Sequence, residues 1–65
     1  MLKLTNTYIS KDSTRKCLVY VDKNGHYEVF KKVLQEDGWD RVGYRKFKHF
    51  HTAERCVQKW LNSTV

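Results

Sequence analysis

The densest run of side chains able to do chemistry lies between Arg41 and Ala53. It holds Arg41, Arg45, Lys46, Lys48, His49 and His51 with no acid among them, and Tyr44, Phe47 and Phe50 are interleaved. Cations recurring every one or two residues can neutralise phosphates, and rings between them can stack on bases or fill a groove. The plain alternative is a solvated outer face with the rings in the core. The distribution of acids weighs against it, because Glu36, Asp37 and Asp40 gather just before the run and are not mixed into it. Two further basic pairs, Arg15-Lys16 and Lys31-Lys32, fall where neighbouring strands would widen the patch. Four to six phosphate contacts would give a log K against log salt slope of roughly −4 to −5.

Other constellations carry less. His49 and His51 share a strand parity and Cys56 follows, but the spacing matches no paired zinc-ligand pattern, so no metal is expected. Cys17 with a histidine and Asp12 or Asp22 would supply the residue types of a nucleophile, base and orienter, yet nothing in the spacing demands it. Gly25, Gly38 and Gly43 are isolated and form no phosphate loop. Neither enzymatic activity nor a cofactor is expected. Trp39, beside Gly38 and Asp40, reads as a loop residue. It either plugs one end of the core or, with Phe30, serves as a contact residue for a protein partner.

These side chains must be held by very little chain. The protein has 65 residues and 7.8 kDa, enough for one small domain and too few to enclose a large substrate cavity. Thirteen Lys and Arg stand against seven Asp and Glu, a net charge of +6 and a pI near 9.6, so a polyanion is the first partner to consider. Aromatics at 14% exclude a disordered basic tail. No apolar run approaches the ~20 residues of a membrane span, and the segment after Met1 has no apolar signal core. The expectation is a complete small reading frame in the cytoplasm, without a membrane partner. Cys17 and Cys56 are expected as reduced core thiols.

The positioning elements follow from periodicity. Ala53, Cys56, Val57, Trp60 and Leu61 form one stripe of an amphipathic helix over 52–62, with Thr52 as its expected N-cap and Glu54 in the first turn. Residues 16–21 read as a strand, Asp22-Lys23-Asn24-Gly25 as a tight turn and residues 26–30 as the return strand, with Cys17, Val19, Val21, Tyr27 and Val29 facing the core. Residues 31–38 fit either a helical turn ending at Gly38 or a continued strand, and the strand is favoured. Residues 42–50 read as a basic aromatic strand with Phe47 pointing away from Val42, Tyr44, Phe50, Lys46 and Lys48. Residues 2–9 read as a first strand and 10–14 as a loop. The expected fold is α+β: a small antiparallel sheet of three to four strands packed on one C-terminal helix. It forms a single domain over 1–65, with an N-terminal strand and loop to 14, the sheet over 15–50 and the helix over 52–62.

The stretch from Gly43 to Leu61 resembles the end of a three-stranded-sheet-plus-helix DNA-binding module, as in AP2-type domains and the arm-binding domains of phage integrases. Phe50, Thr52, Ala53 and Glu54 match the strand-to-helix junction, Trp60-Leu61 the helix end, and Asp22 to Gly25 the tight turn. The likeness covers about 45 residues; Cys56 stands in place of an alanine, and the acidic segment 36–40 and the first 14 residues have no counterpart. It implies that the exposed residues of the sheet, and not the helix, face DNA.

Together these features point to a small nucleic-acid-binding protein, DNA before RNA, such as a regulator from a phage or other mobile element. Arg15, Lys16, Lys31, Lys32, Arg41, Tyr44, Arg45, Lys46, Phe47 and Lys48 are its candidate contacts. The alternative is an interaction module, such as a phage-encoded inhibitor of a host nucleic-acid-handling enzyme. It would set Trp39, Phe30 and the same basic face against an acidic protein surface.

Overall fold

A computed structural model describes residues 2–63 of the chain. Four strands, β1 (Lys3–Ile9), β2 (Arg15–Val21), β3 (Tyr27–Gln35) and β4 (Gly38–Phe47), precede one helix, α1 (Phe50–Leu61). The strands pair antiparallel in chain order, β1-β2-β3-β4. The chain is thus a small α+β fold, an antiparallel sheet packed on a C-terminal helix. Residues 31–35 continue β3, the favoured alternative.

Local chemistry explains the connections. At the β2–β3 turn the Asp22 carboxylate accepts from the backbone N–H groups of Asn24 and His26, both at 2.9 Å. Gly25 takes φ 81°, a left-handed conformation that glycine adopts without a Cβ clash. The Asp22 amide donates to the His26 carbonyl at 2.9 Å, so three residues span the loop rather than the bare Asn-Gly pair. At β3–β4, Gln35 faces Gly38 across Glu36-Asp37, and Gly38 has φ 124°. Between β1 and β2, Asp12 accepts from the Ser10 and Thr14 hydroxyls, both at 2.7 Å, and from the Thr14 amide at 3.0 Å.

Alternation places Cys17, Val19 and Val29 on one face of the sheet, where Ala53 and Val57 of α1 cover them; all five are fully buried. Tyr8, Tyr27, Phe47, Phe50, Trp60 and Leu61 seal the rim. The helix stripe expected from sequence is the one that docks, but its start differs. α1 begins at Phe50 with His49 as an uncapped N-cap, so Thr52 is inside the helix and no acid lies in the first turn. Packing of Phe50 edge-on against Tyr27, ring centroids 5.4 Å apart, draws the extra residues into the helix. Tertiary contact outweighs the modest cap preference of threonine. Glu54 instead accepts from the Tyr8 hydroxyl at 3.4 Å, tying β1 to the helix.

Candidate nucleic-acid interface

The helix covers only one face of the sheet. Directly opposed residues of antiparallel strands share a face, so the register gives the composition of the other. Lys16 of β2 lies opposite Lys32 of β3, and Lys32 opposite Arg41 of β4, which makes a row of three cations across three strands. The adjacent row is Leu18, Phe30 and Tyr44, and the next is Tyr20, Glu28 and Lys46. Beyond the cations, Leu34 faces Trp39.

A bulge builds this arrangement. The β3–β4 register shifts between Lys31 and Lys32, leaving Val42 as an extra residue on β4. Simple alternation would put Arg41 opposite in sense to Tyr44 and Lys46. The bulge brings Arg41 onto their face and leaves Val42 exposed at the sheet edge.

The rings touch one another. Tyr20 and Phe30 meet edge-on at 5.5 Å, and Phe30 and Tyr44 meet tilted at 5.0 Å. The cations lean on rings: Lys16 Nζ sits 4.4 Å from the Trp39 centroid and the Arg41 guanidinium 5.9 Å from that of Phe30. The Tyr44 hydroxyl donates to Glu28 at 2.7 Å, which raises its pKa and occupies the carboxylate of the Tyr20–Glu28–Lys46 row. Lys46 lies 3.5 Å from Asp22, a carboxylate held below its ordinary range first by the His26 amide. A shallow groove of about 580 Å³ runs between Leu2, Leu18, Tyr20, Phe30, Lys32 and Arg41.

The ten residues singled out from sequence therefore do not form one surface. Lys16, Lys32, Arg41, Tyr44 and Lys46 share the open face. Arg15, Lys31, Arg45 and Phe47 project to the helix side, as their opposition to Val33, Gly43, Val29 and Tyr27 requires. Arg15 is engaged there, donating from Nη1 to the Trp60 carbonyl at 2.9 Å and to the Ser63 carbonyl at 3.0 Å. Lys31 lays its stem over Gly43, where a Cβ would come within 3.2 Å of Lys31 Cδ. Arg45 covers the rim ring Phe47, centroid distance 5.7 Å. Lys48 follows the end of β4 and is exposed in the bend before the helix.

Trp39 is a strand residue of the open face, not a loop plug over the core. The β3–β4 turn closes in two residues, so β4 begins before it. Phe30 stands at the centre of the same face. Leu18 and Tyr20 belong there too; sequence reasoning passed over them, although their parity opposite Cys17 and Val19 marks them as outward-facing.

The remaining constellations are separate. Cys17 is fully buried, and desolvation pushes its thiol up to about 11, the reverse of thiolate activation. His49 and His51 stack at 5.7 Å. Among the described residues no three His, Cys, Asp or Glu side chains gather in a metal-holding group, and no helix is long and apolar enough to cross a membrane. Comparison with protein-family models, curated proteins and solved structures gives no match.

Proposed function

We propose that the chain is a small nucleic-acid-binding module, directed at DNA, which uses the open face of its sheet. The observation that carries this is the row Lys16–Lys32–Arg41. Like charges directly opposite one another on a sheet are destabilising, and here three adjoin with no acid between them. Strand spacing of ~4.8 Å spreads them over about 10 Å. A polyanion laid across them would turn that repulsion into attraction. The net charge of +6 and the flanking rings support the same ligand. The resemblance to sheet-reading DNA-binding modules supports the use of the sheet face, with the helix behind it, and does not bear on whether the DNA is paired. An acidic protein surface is the second reading, favoured by the exposed Leu34 beside Trp39.

Titration of labelled DNA at two salt concentrations tests the proposal. Binding is expected to weaken with salt at a log–log slope of about −3 for a single strand and about −4 for a duplex, for four cationic contacts. The double substitution Lys32→Ala with Arg41→Ala should flatten the slope by about 1.5–2. Arg45→Ala, on the helix side, should leave it unchanged. Undetectable binding at low salt removes the proposal, and an effect of Arg45→Ala equal to that of the double substitution moves the site off the open face.

A further inference from the structure

Resting on the interface just proposed, we infer that its ligand is single-stranded DNA, with phosphates along the Lys16–Lys32–Arg41 row and bases against the Leu18–Phe30–Tyr44 row. Successive same-face rows of a sheet lie two residues apart, about 6–7 Å. That is the scale on which a nucleotide separates its phosphate from its base. The groove lined by Leu2, Leu18, Tyr20, Phe30, Lys32 and Arg41 brings two cations of the first row together with Leu18 and Phe30 of the second.

The uncharged side chains of the face favour an unpaired strand. Base pairs in a duplex show only their edges, which are read by Arg and Lys as well as by amides and hydroxyls, so the cations of this face suit either form. Among the described residues, the paired open-face positions of the four strands hold one Thr, Thr7 opposite Leu18, and no Asn, Gln or Ser. The uncharged surface is mainly aliphatic and aromatic, which rewards the exposed planes of unpaired bases more than base edges. Tyr44 is 46% exposed, and its hydroxyl is tied to Glu28, so its ring is presented in a fixed orientation. Tyr20 supports Phe30 from the side at 87° between planes. The preference for DNA is carried over from the interface proposed above, and RNA is the alternative that the test must separate.

The test is fluorescence anisotropy with the intact protein and three labelled probes: a mixed-sequence DNA strand, the same strand annealed to its complement, and the RNA of that sequence. The single DNA strand should bind at least about 10-fold more tightly than the duplex, and no more weakly than the RNA. Tyr44→Leu should weaken binding of the single strand by about 10-fold while leaving the salt slope unchanged, since stacking and not charge is removed. Circular dichroism checks that this variant, altered at an exposed ring, remains folded, and Trp39→Leu provides a second ring on the same face. Equal or tighter binding of the duplex, tighter binding of the RNA, or full affinity in both ring variants overturns the inference while leaving the nucleic-acid interface in place. Failure of all three probes to bind overturns the interface as well.

Discussion

The two faces of this sheet are built from the same strands and alternate residue by residue, yet they hold opposite kinds of side chain. The helix side closes with small groups, Cys17, Val19 and Val29 under Ala53 and Val57, all without exposure. The open side carries the larger rings Tyr20, Phe30, Trp39 and Tyr44 with Lys16, Lys32, Arg41 and Lys46. In a chain this short the usual expectation is that large rings fill the core, because each buries 150–250 Å². Here the centre beneath the helix is filled by those five residues, and Tyr27, Phe47, Phe50 and Trp60 lie at the rim. The core stabilises the fold with modest groups, while a substantial aromatic surface is left for another purpose.

The sharpest way to break this contrast is to place one carboxylate on each face. A domain of this length has a total stability of about 3–10 kcal/mol. Val57→Asp buries an unpaired charge against Cys17, Val19 and Val29, costs several kcal/mol, and is expected to unfold the protein. Leu34→Asp, at a residue 44% exposed on the other face, should cost less than about 1 kcal/mol. Denaturant melts monitored by circular dichroism compare them. A folded Val57→Asp protein would mean that the helix does not close the core.

A smaller effect, with opposite signs on the two faces, is expected from removing single cations. Arg15 satisfies the Trp60 and Ser63 carbonyls at the end of α1, where a positive charge also suits the helix dipole. Arg15→Ala should therefore destabilise by about 1–3 kcal/mol. Lys32 stands between Lys16 and Arg41, so Lys32→Thr relieves repulsion and should stabilise the free protein by a few tenths of a kcal/mol, more at low salt. The same substitution should weaken DNA binding. Thermal melts at two salt concentrations read both signs, and a destabilised Lys32→Thr protein would show that the cation row is not under strain.

The contrast between faces was only partly legible in the sequence. The period-2 pattern of Cys17, Val19, Val21, Tyr27 and Val29 and the turn at Asn24-Gly25 marked the hairpin and its core face. The stripe Ala53, Cys56, Val57, Trp60, Leu61 marked the helix. What alternation alone could not supply was the bulge at Val42. One inserted residue reverses the face of everything beyond it, and so Arg41 joins Tyr44 and Lys46 while Arg45 goes to the helix side. The run of cations in β4 looked like one patch because a strand read in one dimension hides the split between its faces. Trp39 was misplaced because the acidic residues around it resemble a loop, whereas the two-residue turn at Glu36-Asp37 returns the chain to the sheet before reaching it. The helix start was set by the Phe50–Tyr27 contact, which is invisible until the strands are paired.

The smallest expected effect concerns the loop that sets β1 beside β2 and belongs to neither face. Asp12 accepts three hydrogen bonds within residues 10–14, and these lower its pKa from 3.8 to about 2, the Ser10 hydroxyl first. Ser13, with φ 63°, holds the left-handed position of this loop, and the Ser10 amide closes it on the Arg15 carbonyl at 2.9 Å. A carboxylate whose folded pKa lies below its unfolded one stabilises the fold above the unfolded value. That contribution is lost as the pH falls toward the folded value. Melting temperatures followed from about pH 5 down to about pH 2 should therefore fall more steeply for the native protein than for Asp12→Asn. Because Asp12 is solvent-exposed the difference should be slight, and the two curves should converge at the acid end. Parallel curves throughout would mean that the loop holds its shape through the backbone bonds of Ser10 and Ser13 alone, and that the register of the edge strand does not depend on the carboxylate.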